Sequence, residues 1–479
     1  MASHARPYQE LESRLSRERG GRFRVGGPPV AMLYPSPYRV GMSSLGYQWI
    51  LGLLLDAGFS AERCFLPDDV AAWRKSRTPL ATMETHTPLA RFPVIGVSLA
   101  YELELAGLVE ALQLAGIPPL RRDRGPNHPR IVLGGPLTFS NPLPAAPFVD
   151  AMRLGEAEET VVSAIGAALD EDRQTWLDGI EALPGGFVPE RHGSRLPGVA
   201  AGDAPAARQK SYPDTGGRAL RHVPHRGRAR LPPGLLLLRD AAQHQRRHEA
   251  GHARGHPGLC PRQRPSGGLV GAAISDHPRS WAAGGARRAV AKVGISSLRA
   301  DRVALKPDIP RLLREAGYKT LTVASDAASQ RLRRSMSKGT TEAQLLACAE
   351  AAREHGYKVL KVYMMVGVPD ETDEDIDELI AFTRKLAAIH PVALGVAPFV
   401  PKRNTPMDTA TFAGIRLVES RLDRLSAGIR GKAELRPTSA RWAWVEAELA
   451  QGGPEAGLAV LAAVQAGGRF ADWRRAWRR

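Results

Sequence analysis

The feature that most constrains this fold is a repeated order of strand, loop and helix in which the strands are unbroken apolar runs. Val30-Ala-Met-Leu-Tyr34, Val94-Ile-Gly-Val-Ser-Leu99 and Ile131-Val-Leu133 do not alternate apolar with polar residues. Strands with one face in water alternate, whereas strands covered on both faces of a parallel sheet do not. A helix is expected near Leu45–Leu55, closed by Gly58, and Gly134-Gly135-Pro136 ends the third strand. Residues 1–185 therefore read as an open α/β domain with a parallel sheet of flavodoxin or Rossmann type. Ligands of such sheets bind beyond the carboxyl ends of the strands. Here those ends are Pro35–Gly46, Ser98–Glu102 and Gly134–Asn141.

Residues 186–215 are rich in Gly, Pro and Arg and read as a linker. From 269 the rhythm resumes, with strands expected at Leu269–Ser275 and Lys292–Ser297. Two similar units follow, Glu315-Ala-Gly-Tyr-Lys-Thr-Leu-Thr-Val323 and Glu354-His-Gly-Tyr-Lys-Val-Leu-Lys-Val362. Each reads as a helix stopped at Gly with a strand directly after it. Thr341 and Gln344 have capping-box spacing, and Thr372 with Asp375 is an acidic variant before Ile376–Ile389. Val392–Val396 is a further strand. Consecutive βα units imply a parallel sheet, here a partial (β/α) barrel over 269–435, with residues 436–479 as a helical tail.

Charge is concentrated in one place. The 479 residues carry a net charge of +17. Residues 216–268 hold eleven arginines against Asp240 and Glu249, more than half of that excess, together with six of the thirteen histidines. No apolar period runs through them, so they read as an irregular or disordered basic segment, or as a nucleic-acid-binding insert. The chain has three cysteines, Cys64, Cys260 and Cys348, too few and too far apart for a disulfide framework or a zinc ribbon. They suit a reducing compartment. No run is long enough to cross a bilayer and no signal peptide is visible, so a cytoplasmic protein without a membrane partner is expected.

Candidate chemistry gathers at the expected strand ends of the second half. Ser296, Ser297, Arg299 and Asp301 follow the strand at 292, Asp326 and Arg331 follow Thr320–Ala324, and Gly367–Thr372 follows Lys358–Val366. Catalytic groups of βα barrels sit at such ends. Each also has a plain structural reading, as a helix cap or a carboxylate at a helix N-terminus. Cys348 shares an apolar helix face with Leu345, Ala349 and Ala352, and Cys64 precedes Phe65 and Leu66; both read as core thiols. His244 and His248 are flanked by arginines that repel a cation, so no metal ligands are assigned.

Two blocks, 28–200 and 269–476, resemble a bacterial branch of the radical S-adenosylmethionine superfamily that carries an N-terminal cobalamin-binding-like domain. The resemblance lies in Leu33–Gly46, Gly134-Gly-Pro136, Gly155-Glu-Ala-Glu-Glu159, Val270–Pro278, Ser325-Asp-Ala-Ala-Ser-Gln-Arg-Leu332, Gly367-Val-Pro-Asp-Glu-Thr372, Ala397-Pro-Phe-Val-Pro-Lys402 and Arg436–Trp442. It implies a four-iron four-sulfur cluster held by three cysteines, S-adenosylmethionine as co-substrate, and a radical hydrogen abstraction from a small-molecule or macromolecular substrate. An electron donor such as flavodoxin or ferredoxin is implied for an active enzyme, and nucleic acid is not the expected partner. By matching position, Ser296, Arg299, Asp326, Arg331 and Gly367 line the S-adenosylmethionine pocket. Ser98, Gly134, Gly135 and Gly155 line a cobalamin-type pocket.

The chain departs from the family in two ways. The loop Ser36–Gly46 has no histidine, so the Asp-x-His-x-x-Gly lower-ligand motif is missing; cobalamin is then held without a protein ligand or not held at all. The Cys-x3-Cys-x2-Cys loop is missing too, and its place falls within 216–268. Sliding the reading frame forward one base through 222–252 lets the codons of Leu231, Leu235 and Leu238 become cysteine codons at that spacing. His222–Arg226 then permits the family's approach strand. Two compensating frame errors account for the basic segment and the missing ligands together. As written the chain is expected to be inactive, which leaves a non-catalytic cobalamin- or nucleotide-type binding protein, or a nucleic-acid-binding protein acting through the basic segment, as the alternatives.

Overall fold

Six strands build the first sheet: β1 Pro29–Pro37, β2 Ser60–Leu66, β3 Val94–Ser98, β4 Arg130–Gly134, β5 Ala151–Arg153 and β6 Gly186–Phe187. Their order is β2-β1-β3-β4-β5-β6, parallel throughout except that β6 runs against β5. The computed structural model describes residues 5–18, 22–200, 267–269, 293–295 and 298–478. As the unbroken apolar runs require, β1 and β3 are buried on both faces, and Leu33 pairs with Cys64 on one side and Val97 on the other. The helix Leu45–Asp56 starts where the Ser44 hydroxyl accepts the Tyr47 N–H and ends at Gly58, whose φ of +99° supplies the left-handed turn. Its Leu51 and Leu54 meet Trp176 of the helix Arg173–Ala182 in one core.

The sheet continues past residue 185. Gly186–Phe187 lies in the stretch that composition suggests as a linker, and Ala200 bridges to Gly155. The chain divides into one unit of Met1–Ala219 with Glu448–Arg479 and a second of Leu220–Ala447. The residues expected as a helical tail thus split, and those from Glu448 on belong with the first sheet. There the helix Pro454–Gln465 packs on the 3-10 turn Leu143–Phe148, with Gly457 so close to the Pro144 carbonyl that a Cβ would lie 2.0 Å from it.

In the second unit β9 Leu298–Arg299, β10 Thr320–Asp326, β11 Val359–Val366, β12 Val392–Pro398 and β13 Glu434–Pro437 form an all-parallel sheet in the order β13-β12-β11-β10-β9. The short β7 Gly267–Leu269 and β8 Val293–Ile295 form a separate parallel pair. On β11, Leu360, Val362, Met364 and Val366 are buried in a core that includes Cys348, Ile376 and Val418 of the helices Glu342–Glu354, Asp373–Ile389 and Ile415–Ile429. Tyr363 on the opposite face is 43% exposed. Both expected caps form: Thr341 with Gln344 and Thr372 with Asp375 are complete capping boxes.

The strand expected at Lys292–Ser297 resolves differently. Its centre pairs with β7, and the edge of the five-stranded sheet is Leu298–Arg299, so Arg299 lies within a strand and not in the loop after one. Ser296, Ser297, Cys260 and residues 201–266, with the proposed frame-altered tract, lie outside the described residues.

Candidate cofactor sites at the strand ends

Three neighbouring strand ends carry the polar groups of the second unit. β10 ends on Asp326, whose φ is +68° and where the pairing with β11 slips by a residue. Its carboxylate lies 3.3 Å from the Nζ of buried Lys338. Arg299 stands opposite Ala324 on the next strand and is paired with Asp301 through Nε at 3.0 Å and a terminal nitrogen at 2.7 Å. Arg331 reaches from the β10 loop to the β11 loop, donating to Asp375 and to the Asp370 carbonyl at 2.8 Å. Burial opposes ionisation of Asp375, yet the bonds from Arg331, the Ser329 hydroxyl and the Thr372 N–H hold it below the ordinary carboxylate range. Arg331 is thereby a tie between two loops as well as a pocket candidate.

Gly367 ends β11 with φ +75°, and its N–H donates to Glu371 Oε1 at 2.7 Å. Arg421 donates to the same oxygen at 2.9 Å and also to the Glu371 carbonyl. Burial nevertheless pushes the Glu371 carboxyl up to about 7, against the Gly367 N–H and the Arg421 charge. Its Oε2 is buried with no hydrogen-bond partner. Gly367, Asp370, Glu371, Met407, Leu417 and Arg421 help to line a cavity of about 530 Å³ beside this turn.

In the first unit, Ser98 ends β3 and stands in register with Gly134 at the end of β4. Gly135 has φ +101°, and a Cβ there would lie 2.6 Å from the Leu99 carbonyl oxygen and 3.0 Å from Ser98 Oγ. Thr138 Oγ1 accepts the Gly155 N–H at 3.1 Å, joining the β4 and β5 ends. At Gly155, φ +94°, a Cβ would lie 2.3 Å from the Ala200 oxygen. The fold brings Ser98, Gly134, Gly135 and Gly155 to one edge of the sheet. The space beside Gly135 and Gly155 is taken by the chain's own backbone, so packing alone already demands glycine at both.

Sequence reading missed Glu104. It opens the helix Glu104–Leu114, where a carboxylate looks like an ordinary dipole partner. Folded, it is buried and accepts the Ala100 N–H at 2.7 Å and the Ser36 hydroxyl at 3.1 Å, linking the β1 and β3 loops. Burial raises its pKa, against those hydrogen bonds. The only signal in the sequence was its position six residues after the strand-end Ser98, two residues beyond the expected ligand edge.

Neither described cysteine sits in a cluster site. Cys64 lies fully buried on β2, and Cys348 is buried on its helix beside Leu345, Ala349 and Ala352. Burial pushes the Cys64 thiol well up and the Cys348 thiol up to about 12, which disfavours the thiolate that binds iron. The two belong to different units. Among the described residues no three His, Cys, Asp or Glu side chains are grouped to hold a metal ion. No helix among them is long and apolar enough to cross a membrane.

Both α/β units thus carry polar loops and glycines at the carboxyl ends of their strands. Residues 46–189 match the model for radical SAM proteins, N-terminal, and residues 287–383 match that for the radical SAM superfamily. Together the two matches take in about half of the chain, and the chain belongs to the radical SAM superfamily. It is 25% identical over 405 residues to an uncharacterized protein, MJ0966, of Methanocaldococcus jannaschii, covering 80% of each chain. The fold is shared with the radical S-adenosylmethionine methyltransferase TsrM of Kitasatospora setae, solved with cobalamin and a [4Fe-4S] cluster bound. That match has a TM-score of 0.58 at 13% identity over 95% of this chain and 100% of the other. TsrM with tryptophan substrate and aza-SAM bound matches with a TM-score of 0.53 at 14% identity, over 82% and 76%.

Proposed function

We propose that this chain is a radical SAM scaffold that keeps its nucleoside and corrinoid edges but, with the cysteines it has, assembles no iron–sulfur cluster and is inactive as written. The observation that carries this reading is the cysteine placement: two thiols buried in separate cores, and a single further cysteine in the whole chain. A cluster would supply one-electron cleavage of S-adenosylmethionine; three soft thiolate ligands that leave one iron open are what it needs. In this reading Ser296, Arg299, Asp326, Arg331 and Gly367 line the S-adenosylmethionine site. Asp326 offers a carboxylate to hydroxyl or ammonium groups, and Arg331 fixes the two loops between which the molecule lies. Ser98, Gly134, Gly135 and Gly155 form the edge for a cobalamin-type ligand, a reading supported by the TsrM fold and its bound cobalamin. With no histidine in Ser36–Gly46, such a ligand is held without a protein donor to its metal. In this reading the protein belongs in a reducing compartment and has no membrane partner.

Iron and sulfide analysis after anaerobic reconstitution tests the cluster statement. Iron no higher than in a chain with Cys260→Ser is expected; a stoichiometric iron–sulfur chromophore overturns it. Equilibrium dialysis against S-adenosylmethionine tests the pocket, with binding expected to fall at least tenfold in Asp326→Asn. Equal binding by both proteins would remove Asp326 from the site.

A further inference from the structure

At the edge of the first sheet where β3 and β4 begin, away from the glycine loops, the chain frames a cavity of about 870 Å³. That is the size of a small-molecule site, roughly 300–1,000 Å³. Pro93 precedes β3 and Arg130 opens β4, so the cavity lies at the strands' amino ends. Its wall carries Arg91, Arg121, Arg122, Arg124, Arg130 and Arg173, with His128, against Asp150 and Glu190 as the only carboxylates.

Those two carboxylates are already shared. Asp150 lies 3.2 Å from both Arg124 and Arg173, and Glu190 takes Arg173 at 2.9 Å and Arg121. The result is a chain of alternating charge, Arg121–Glu190–Arg173–Asp150–Arg124, with a cation at each end. Arg124 is 3% exposed; one terminal nitrogen donates to the Pro119 and Phe148 carbonyls at 3.2 and 3.0 Å, the other to Asp150, and its Nε is buried without an acceptor. Burial, with Arg121 and Arg173 nearby, lowers its pKa against the Asp150 charge. Arg130 is committed to the Ala168 and Glu171 carbonyls, both at 2.8 Å. At the mouth, Arg122 comes no nearer to a carboxylate than 3.8 Å, at Asp123, and the Arg91 side chain has no partner among the described residues. A lattice that served stability alone would balance its charges; this one leaves a surplus of four positive charges facing one recess.

We propose that this cavity binds a phosphate-bearing small molecule, with Arg91 and Arg122 engaging its oxyanions and the five-residue charge chain, anchored at buried Asp150 and Arg124, fixing the floor. Guanidinium forks match phosphate oxygens two at a time. The site lies at the opposite ends of the strands from the glycine edge.

The test is calorimetric titration of the full chain with inorganic pyrophosphate at constant ionic strength. One pyrophosphate per chain is expected, with affinity at least tenfold weaker in Arg91→Glu/Arg122→Glu. Both side chains are exposed, so the fold survives the change. The control Arg74→Glu/Lys75→Glu reverses the same charge on the helix Val70–Ser76, outside the cavity, and is expected to change affinity less than twofold. No saturable binding by the wild-type chain, equal losses in the two variants, or binding of RNA with none of pyrophosphate would each overturn the proposal.

Discussion

Glu371 shows at the residue scale how burial overrides a neighbouring charge. Arg421 sits 2.9 Å from its carboxylate, yet burial pushes the group up to about 7. An unfolded glutamate releases its proton at about pH 4.3. The folded state therefore binds the proton more tightly, and the stability this adds is complete below that value and lost as pH rises through about 7. Burial raises Glu84, Glu104 and Glu110 in the same direction, whereas hydrogen bonds and ion pairs hold Asp301 and Asp375 below the ordinary carboxylate range. In Glu371→Gln the fall of Tm between roughly pH 5 and pH 8 should be shallower than in the wild type by an amount worth about 3 kcal/mol. Identical pH slopes would show that Glu371 ionises normally. The sequence placed this residue at a helix start, where a carboxylate is ordinary; only the fold, by bringing Arg421 and the Gly367 turn around it, reveals its burial.

At the scale of elements, local signals read well wherever chemistry is confined to one turn. Both capping boxes and the βα units ending in glycine were legible because each rests on residues three or four apart. A Thr341→Ala substitution should cost about 1 kcal/mol, read as a drop in Tm. The glycines at the first sheet's ligand edge were legible as glycines but not as to cause. Gly134 and Gly135 are adjacent in sequence, and a Cβ on Gly134 meets nothing nearer than the Arg153 oxygen at 3.9 Å. On Gly135 it meets backbone at 2.6 Å with φ at +101°. Gly135→Ala should lose roughly 2–4 kcal/mol and Gly134→Ala under about 1 kcal/mol, measured by denaturant unfolding. Equal losses would mean that the loop is free to adjust. Short strands escaped the sequence for a related reason. Gly186–Phe187 and Leu298–Arg299 are two-residue edge strands fixed by their partners, and no period exists in two residues.

At the scale of the whole molecule, the return of the chain's end to the first sheet had no sequence signal. Asn141 is fully buried, with Nδ2 within 3.1, 3.1 and 2.7 Å of the carbonyls of Leu449, Ala450 and Gly452. One asparagine thus satisfies a turn some three hundred residues away, and such a contact leaves no pattern in either stretch. In Asn141→Ala those carbonyls lose their donor, and limited proteolysis should cut within 448–453, a stretch where the wild type resists. An unchanged digestion pattern would mean that the packing of Pro454–Gln465 suffices without it. What the sequence did carry at this scale was the mismatch between a radical SAM frame and its cysteine content, because both halves of that comparison are compositional. The measurement that tests it most directly is 5′-deoxyadenosine formation by the full chain after anaerobic reconstitution with iron and sulfide, given S-adenosylmethionine and a strong reductant. The account predicts none above a protein-free control; turnover of S-adenosylmethionine to 5′-deoxyadenosine would contradict it.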